Sequence, residues 1–427
     1  MEQSIENVSL DLQSLSLRPK DVLNIIFVGH VDSGKSTICG RILVDLDLVD
    51  ERTLKKYMQQ SELENRASWY LSWCMDLNPE EREKGITTEV GTASFDLPHT
   101  RINVLDAPGH KQFVSEMIDA VSRADVGILI VSARSGEFEA GFKGGQTKEH
   151  LLLLKSGNVE NVIVLVNKMD ECNWDKERFD EISAKIMKFS KNLFKDIMII
   201  PVSGYNGDNI KNRKNLPFYS GLSFLEYLDT IKTSKKAELG PSMLVLEKVK
   251  TSGNVIFYVK VDSGKFTAKT DYKILPLNKE DKILSIMNED DVEVGETQPG
   301  ETYKMKFKDF SDEIFAGSRV VPKNGSEYSV CTEFFAQLVI CDVKNALTVG
   351  YSCIMHINLM QISCKITEMF SMEKKRIKIA RKGDRVVGLL KLENPIVVTS
   401  SKDRKERFAL RDEGLTIAAG LIKKIVK

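Results

Sequence analysis

The chain of 427 residues has no apolar run near the roughly 18–20 residues that cross a bilayer, which excludes a helical membrane span. The stretch Met1 to Lys20 is polar and leans acidic, so it reads neither as a secretory leader nor as a basic transit peptide. Seven cysteines, an odd number with no C-x-x-C pair, argue against a disulfide framework and against a zinc site. They fit a reducing compartment, and a cytoplasmic location is expected. Internal repeats and low-complexity tracts are also missing. Net charge is zero overall, but it is unevenly spread. Residues 21–239 carry a net −5, while residues 325–427 carry +7. Such a basic last third suits RNA or an acidic protein face, and equally a solvated lysine-rich surface.

What is present falls into parts. A length of 427 residues gives a prior of about three domains. From residue 21 onward, short Val/Ile-rich runs alternate with amphipathic stretches. The runs are Leu23–Val28, Ile102–Leu105, Val126–Val131, Val162–Val166 and Met198–Val202. They show little polar alternation, as strands buried on both faces do. Amphipathic stretches such as Gln112–Val121 and Phe179–Leu193 supply the helices of a mostly parallel, doubly wound α/β domain. At Lys235–Pro241 the character changes to period-two runs such as Asn254–Val261, with turns at Ser263-Gly264, Pro299-Gly300 and Gly317. A second break lies at Pro322–Ser326, before Glu333–Ile340, Ser352–Leu359, Arg385–Leu392 and Ile417–Ile425. The expected layout is a tail at 1–20, an α/β P-loop domain at 21–238, and two antiparallel β-barrels at 239–324 and 325–427.

The first strand runs straight into Gly29-His30-Val31-Asp32-Ser33-Gly34-Lys35-Ser36, a G-x-x-x-x-G-K-S loop opening a helix. Glycines let such a loop curl its N–H groups toward phosphate oxygens, and the helix adds its positive end. Lys35 is expected on the β- and γ-phosphates and Ser36 on Mg²⁺. Asp106-Ala107-Pro108-Gly109 closes the strand Ile102–Leu105. An acid there can hold Mg²⁺ directly or through water, and Gly109 can offer its N–H to the γ-phosphate. His110 follows, placed to orient an attacking water. Asn167-Lys168-Met169-Asp170 follows Val162–Val166. A carboxylate at Asp170 can accept from guanine N1–H and N2–H₂ together, a pair adenine lacks. Asn167 can brace the phosphate loop, and the Lys168 stem can lie over the base. Ser203-Gly204 sits where a backbone N–H can meet the guanine oxygen. Between the first two motifs, Glu80–Thr88 offers a hydroxyl to Mg²⁺ while the γ-phosphate is present, and spacing leaves Thr87 and Thr88 both open.

Together these residues resemble the translational GTPases. The resemblance is carried by Gly29–Thr37, by Asp106–His110, and by Gly136-Glu137-Phe138-Glu139-Ala140-Gly141-Phe142 leading into Gly144-Gly145-Gln146-Thr147. It runs from about residue 22 to the end. It implies a GTPase domain followed by two barrels, GTP/GDP and Mg²⁺ as ligands, Thr87 as the switch threonine, and His110 as the water-orienting group. Thr37 joins the phosphate-loop set on the same ground. Within the family, Ser68–Trp73 and Arg407–Gly414 resemble the termination branch, whose members carry a class-one peptide chain release factor to the ribosome. That implies those two partners, with neither membrane nor DNA, and a monomer apart from its partner. Ribosome-rescue GTPases that work with a Pelota/Dom34-type factor, and aminoacyl-tRNA carriers like elongation factor one-alpha, are the neighbouring branches. The termination branch usually bears a long N-terminal extension that binds poly(A)-binding protein in several lineages. With about twenty residues before the first strand here, that contact is not carried over.

Overall fold

The computed structural model describes residues 21–426 apart from 64–68, 76–89, 111–112, 145, 158, 192, 233–239, 252–253, 289–290, 310–311, 326, 342, 344 and 400–405. The tail and the whole segment Glu80–Thr88 lie outside the described residues.

The first unit is a six-stranded sheet. Its strands are β1 (Asp21–Gly29), β2 (Gly91–Asp96), β3 (Thr100–Asp106), β4 (Val126–Ser132), β5 (Asn161–Asn167) and β6 (Ile197–Pro201). The spatial order is β2-β3-β1-β4-β5-β6. All neighbours run parallel except β2, an antiparallel edge strand. The Val/Ile runs take both faces. Ile26 and Val28 of β1 enter one core with Leu129 and Val131, while Leu23, Ile25 and Phe27 enter the opposite core with Ile128 and Ile130. Helices α1 (Lys35–Asp45) and α7 (Phe224–Thr230) cover the second face. The first is covered by α4 (Val114–Arg123), α5 (Thr147–Ser156) and α6 (Lys176–Ser190). Between these come α2 (Glu51–Leu63) and α3 (Trp69–Ser72). Two-sided burial explains why these strands read as continuous apolar runs. β2 was not evident in the sequence, because its outward positions are polar or small and only Phe95 is buried deeply.

A closed barrel follows, built from β7 (Ser242–Thr251), β8 (Asn254–Ser263), β9 (Asp271–Leu275), β10 (Lys279–Met287), β11 (Thr302–Phe307) and β12 (Arg319–Val321). A second barrel holds β13 (Tyr328–Ile340), β15 (Ser352–Ile357), β16 (Met360–Ser371), β19 (Arg385–Thr399), β20 (Arg407–Asp412) and β21 (Leu415–Ile425). Pairing of β15 with β16 closes its ring, and the short β14 (Leu347–Thr348), β17 (Arg376–Ile377) and β18 (Ile379–Ala380) lie at its rim. Each barrel has its own alternating apolar core.

The units touch through specific contacts. Asn24 of β1 donates from its backbone (3.1 Å) and its side-chain amide (2.8 Å) to Asp125, and the amide also reaches the Gly300 carbonyl of the first barrel at 3.4 Å. The nearly buried Lys260 ammonium of that barrel donates to the Arg123 carbonyl. Thr416 of the second barrel donates to Glu149 of α5 at 2.7 Å. The barrels join each other through Leu275, Val321, Val397 and Tyr328, and beside them the buried Arg319 guanidinium pairs with Asp262 at 2.8 Å.

Candidate functional site

Parallel strand pairing brings the chemistry-bearing loops to one edge of the sheet. Asp106 ends β3, Gly29 ends β1, Asn167 ends β5, and Ser203-Gly204 follow β6. The C-terminal ends of parallel strands are where open α/β sheets hold ligands. His30–Gly34 form the loop after β1, and Lys35, Ser36 and Thr37 open α1. Gly109 and His110 lie between β3 and α4. Thr87 lies outside the described residues.

The phosphate loop is tightly wound. Gly34 has φ 92°, the left-handed region, and a Cβ there would lie 2.3 Å from the Asn167 amide nitrogen. The buried Lys35 ammonium donates to the carbonyls of Gly29 and His30, each at 3.1 Å. Burial pushes it below the ordinary lysine range, against the opposing pull of Asp106 and Asp32. A Cβ on Gly109 would sit 2.3 Å from that ammonium, so the Asp106–His110 turn closes directly onto Lys35. Asp106 itself is fully buried.

Asn167 ties the loops together. Its amide donates to the Ser33 carbonyl at 2.9 Å, and its oxygen accepts from the Gly204 N–H at 2.8 Å. One buried side chain therefore joins the first loop to the last. Lys168 takes a left-handed backbone (φ 63°), and its ammonium pairs with Glu137 at 2.8 Å. Ser203 is fully buried and its hydroxyl accepts from Asn206 N at 3.1 Å, which shapes the turn after β6.

Two buried acceptors stand open in this cradle. Ser33 Oγ and Asp170 Oδ1 make no hydrogen bond within the chain. Buried polar atoms are rarely left so. Ser33 Oγ is turned inward, 2.8 Å from where a Cβ on Gly29 would lie, while Asp170 Oδ1 suits the N–H edge of a guanine, so the base-site residues present fit a guanine nucleotide. Among the described residues no group of three or more His, Cys, Asp or Glu is placed to hold a metal. A Mg²⁺ carried by one carboxylate, hydroxyls and phosphates needs no such group.

Some contacts escaped the sequence reading. His30 Nδ1 lies 3.2 Å from Gln146 Oε1, and His150 behind them is buried with neither ring nitrogen hydrogen-bonded. Burial, with Lys35 and His30 adding to it, lowers His150 to about 3 and keeps it neutral. The Glu137 contact was also missed. The Gly136–Phe142 motif was visible, but nothing in the spacing aims it at Lys168.

Residues 20–283 match the family described as the elongation factor Tu GTP binding domain, and residues 327–426 match the elongation factor Tu C-terminal domain. The chain belongs to the translational GTPases. Among the relatives of this GTPase, the eukaryotic peptide chain release factor GTP-binding subunit of Kluyveromyces lactis is 40% identical, over 96% of this chain and 61% of the relative. Its counterpart in Candida maltosa is 42% identical, over 95% and 60%. The chain thus spans about three-fifths of the length of these curated relatives. The GTP-bound Ski7 GTPase-like domain of S. cerevisiae shares the fold, with a TM-score of 0.77 at 16% identity, over 95% of this chain and 97% of that one. No helix among the described residues is long and apolar enough to cross a membrane.

Proposed function

We propose that this GTPase acts in translation termination: it binds a class-one peptide chain release factor in its GTP form and couples GTP hydrolysis on the ribosome to peptide release. The observation that carries the nucleotide half is the Asn167 bridge from Ser33 to Gly204, which makes three separate loops one cradle. The pathway rests on the release-factor subunits that match nearly the whole chain at about 40% identity.

In this reading the N–H groups of Gly29–Thr37 and the Lys35 ammonium hold the phosphates, and Asp170 accepts from the guanine. Ser36 and Asp106, with Thr87 in the GTP form, would hold Mg²⁺, which supplies charge neutralisation between the phosphates. His110 orients the attacking water. Gly109, packed on Lys35, reports the γ-phosphate through its N–H, so loss of that phosphate releases the turn before α4. Catalysis is positioning and electrostatics, and hydrolysis without the ribosome is expected on the order of 10⁻⁴ s⁻¹.

The test is titration calorimetry in GTP-analogue and GDP states against a class-one release factor, a Pelota-type rescue factor and an aminoacyl-tRNA. Nucleotide-dependent binding of the class-one factor alone supports termination. Preference for the rescue factor moves the pathway to stalled ribosomes, and tighter binding of charged than of uncharged tRNA makes the chain a carrier. For the chemistry, His110→Ala is expected to keep GTP affinity and lose ribosome-stimulated turnover; unchanged turnover would remove His110 from its role.

A further inference from the structure

The segment Gly136–Phe142 is a pronounced sequence feature that the mechanism above leaves unused. It follows β4 and lies against the Asn167–Asp170 turn. Phe138 is buried in the main core and stacks on Phe142 at 5.3 Å. Glu139 caps the start of the segment by accepting from Gly136 N at 2.7 Å, and it pairs with Arg178 of α6 at 2.9 Å. Arg178 in turn donates to the Ala133 carbonyl at 2.8 Å. Glu137 therefore stands on a platform fixed on both sides. Its Oε1 accepts from Arg134 at 3.0 Å, while Oε2 accepts from Lys168 at 2.8 Å. Arg134 also pairs with Glu171, the residue after Asp170.

Lys168 needs such an anchor. Its left-handed backbone is one that a lysine rarely adopts. Its side chain carries four rotatable bonds, and without a partner the ammonium would sample many positions. Both partners are largely shielded, with side-chain exposures of 20% for Lys168 and 33% for Glu137. Burial alone would raise the Glu137 carboxyl, but Lys168, Ser132 and Arg134 outweigh it and hold the group below the usual carboxylate range. It is ionised at neutral pH.

We propose that Glu137 is a positioning residue of the base site, fixing the Lys168 side chain over the bound guanine so that the Gly136–Phe142 segment sets how fast guanine nucleotide leaves. This rests on the reading that Asn167–Asp170 recognise guanine. The test is stopped-flow release of fluorescent mant-GDP from the full chain. Glu137→Gln keeps shape and removes charge, and it is expected to speed release about threefold to tenfold. Glu177→Gln makes the same charge-to-amide change at an exposed position of α6 outside that segment and is expected to leave the rate within about twofold of wild type. In a Lys168→Met background, Glu137→Gln is expected to add nothing, since the interaction is already lost. Equal effects of the two glutamate changes, additive effects with Lys168→Met, or an unchanged rate in Glu137→Gln would each overturn the proposal. Failure of wild type to bind mant-GDP at all would instead overturn the guanine-site reading beneath it.

Discussion

Asn167→Ala is the sharpest probe of how the cradle is held. The side chain is 2% exposed and makes two hydrogen bonds to backbone groups, the Ser33 carbonyl at 2.9 Å and the Gly204 N–H at 2.8 Å. Alanine fills neither role, and water does not readily replace a buried amide. Each backbone group stranded in the interior costs about 1–3 kcal/mol, so a loss of about 3 kcal/mol is expected even after partial relaxation. For a domain of this size, a change of 1 kcal/mol moves the midpoint by about 2–4 °C, giving a drop of about 6–12 °C. Differential scanning calorimetry of the nucleotide-free protein measures it. The same bridge aligns both ends of the nucleotide site, so GDP affinity should fall by about 100-fold, close to the same 3 kcal/mol. A midpoint shift under about 2 °C would refute the reasoning, because the two bonds would then carry little net stability.

Gly34→Ala is expected to abolish nucleotide binding in calorimetry, since the new methyl would meet the Asn167 amide 2.3 Å away at a left-handed φ of 92°. Asp119 of α4 gives a pH prediction: burial, with Glu116 adding and Arg123 opposing, raises its carboxyl from 3.8 to about 6. The folded state then holds a proton that the unfolded state has lost, so this group's contribution to stability falls as pH rises from about 4 to about 6. Asp119→Asn should therefore stabilise the protein by about 3 kcal/mol at pH 7.5 and give no gain below pH 4, as read by melting across that range. Arg319→Met removes the cation from its buried pair with Asp262, which should cost about 3–5 kcal/mol in thermal unfolding of the barrels; adding Asp262→Asn should recover part of it.

Much of this architecture was legible because the physics acting on it is local. Strands buried on both faces must be apolar throughout, so Leu23–Val28 and Val162–Val166 announced β1 and β5 within one or two residues. Gly29–Ser36 and Asn167–Asp170 stood out as loops at strand ends, and the structure brings them together through Asn167. Strands with mixed faces were harder. Met360–Ser371 and Arg407–Asp412 both pair in the second barrel, yet the alternation of the first breaks at Thr367-Glu368, where its register shifts, and the second opens and closes on charge. Contacts distant in sequence left no local trace. Glu137 with Lys168, and Thr416 with Glu149, are separated by 31 and 267 residues, and no periodicity encodes such meetings. The raised Asp119 depends on what packs over α4 and could not be read from its neighbours in the chain.

Strand β1 has a mechanical consequence. Its Asn24 is held by Asp125 and touches the first barrel at Gly300, while its far end is Gly29, where the phosphate loop begins. Those two points lie about 17 Å apart along an extended backbone. A strand flanked on both sides by hydrogen-bonded neighbours resists stretching and compression, so it behaves as a rod rather than a spring. A displacement of the barrel at one end has nowhere to be absorbed before it reaches the loop at the other. The distance between the domain joint and the nucleotide is fixed by the length of a single strand, so the seating of a barrel and the shape of the phosphate loop are set against one ruler.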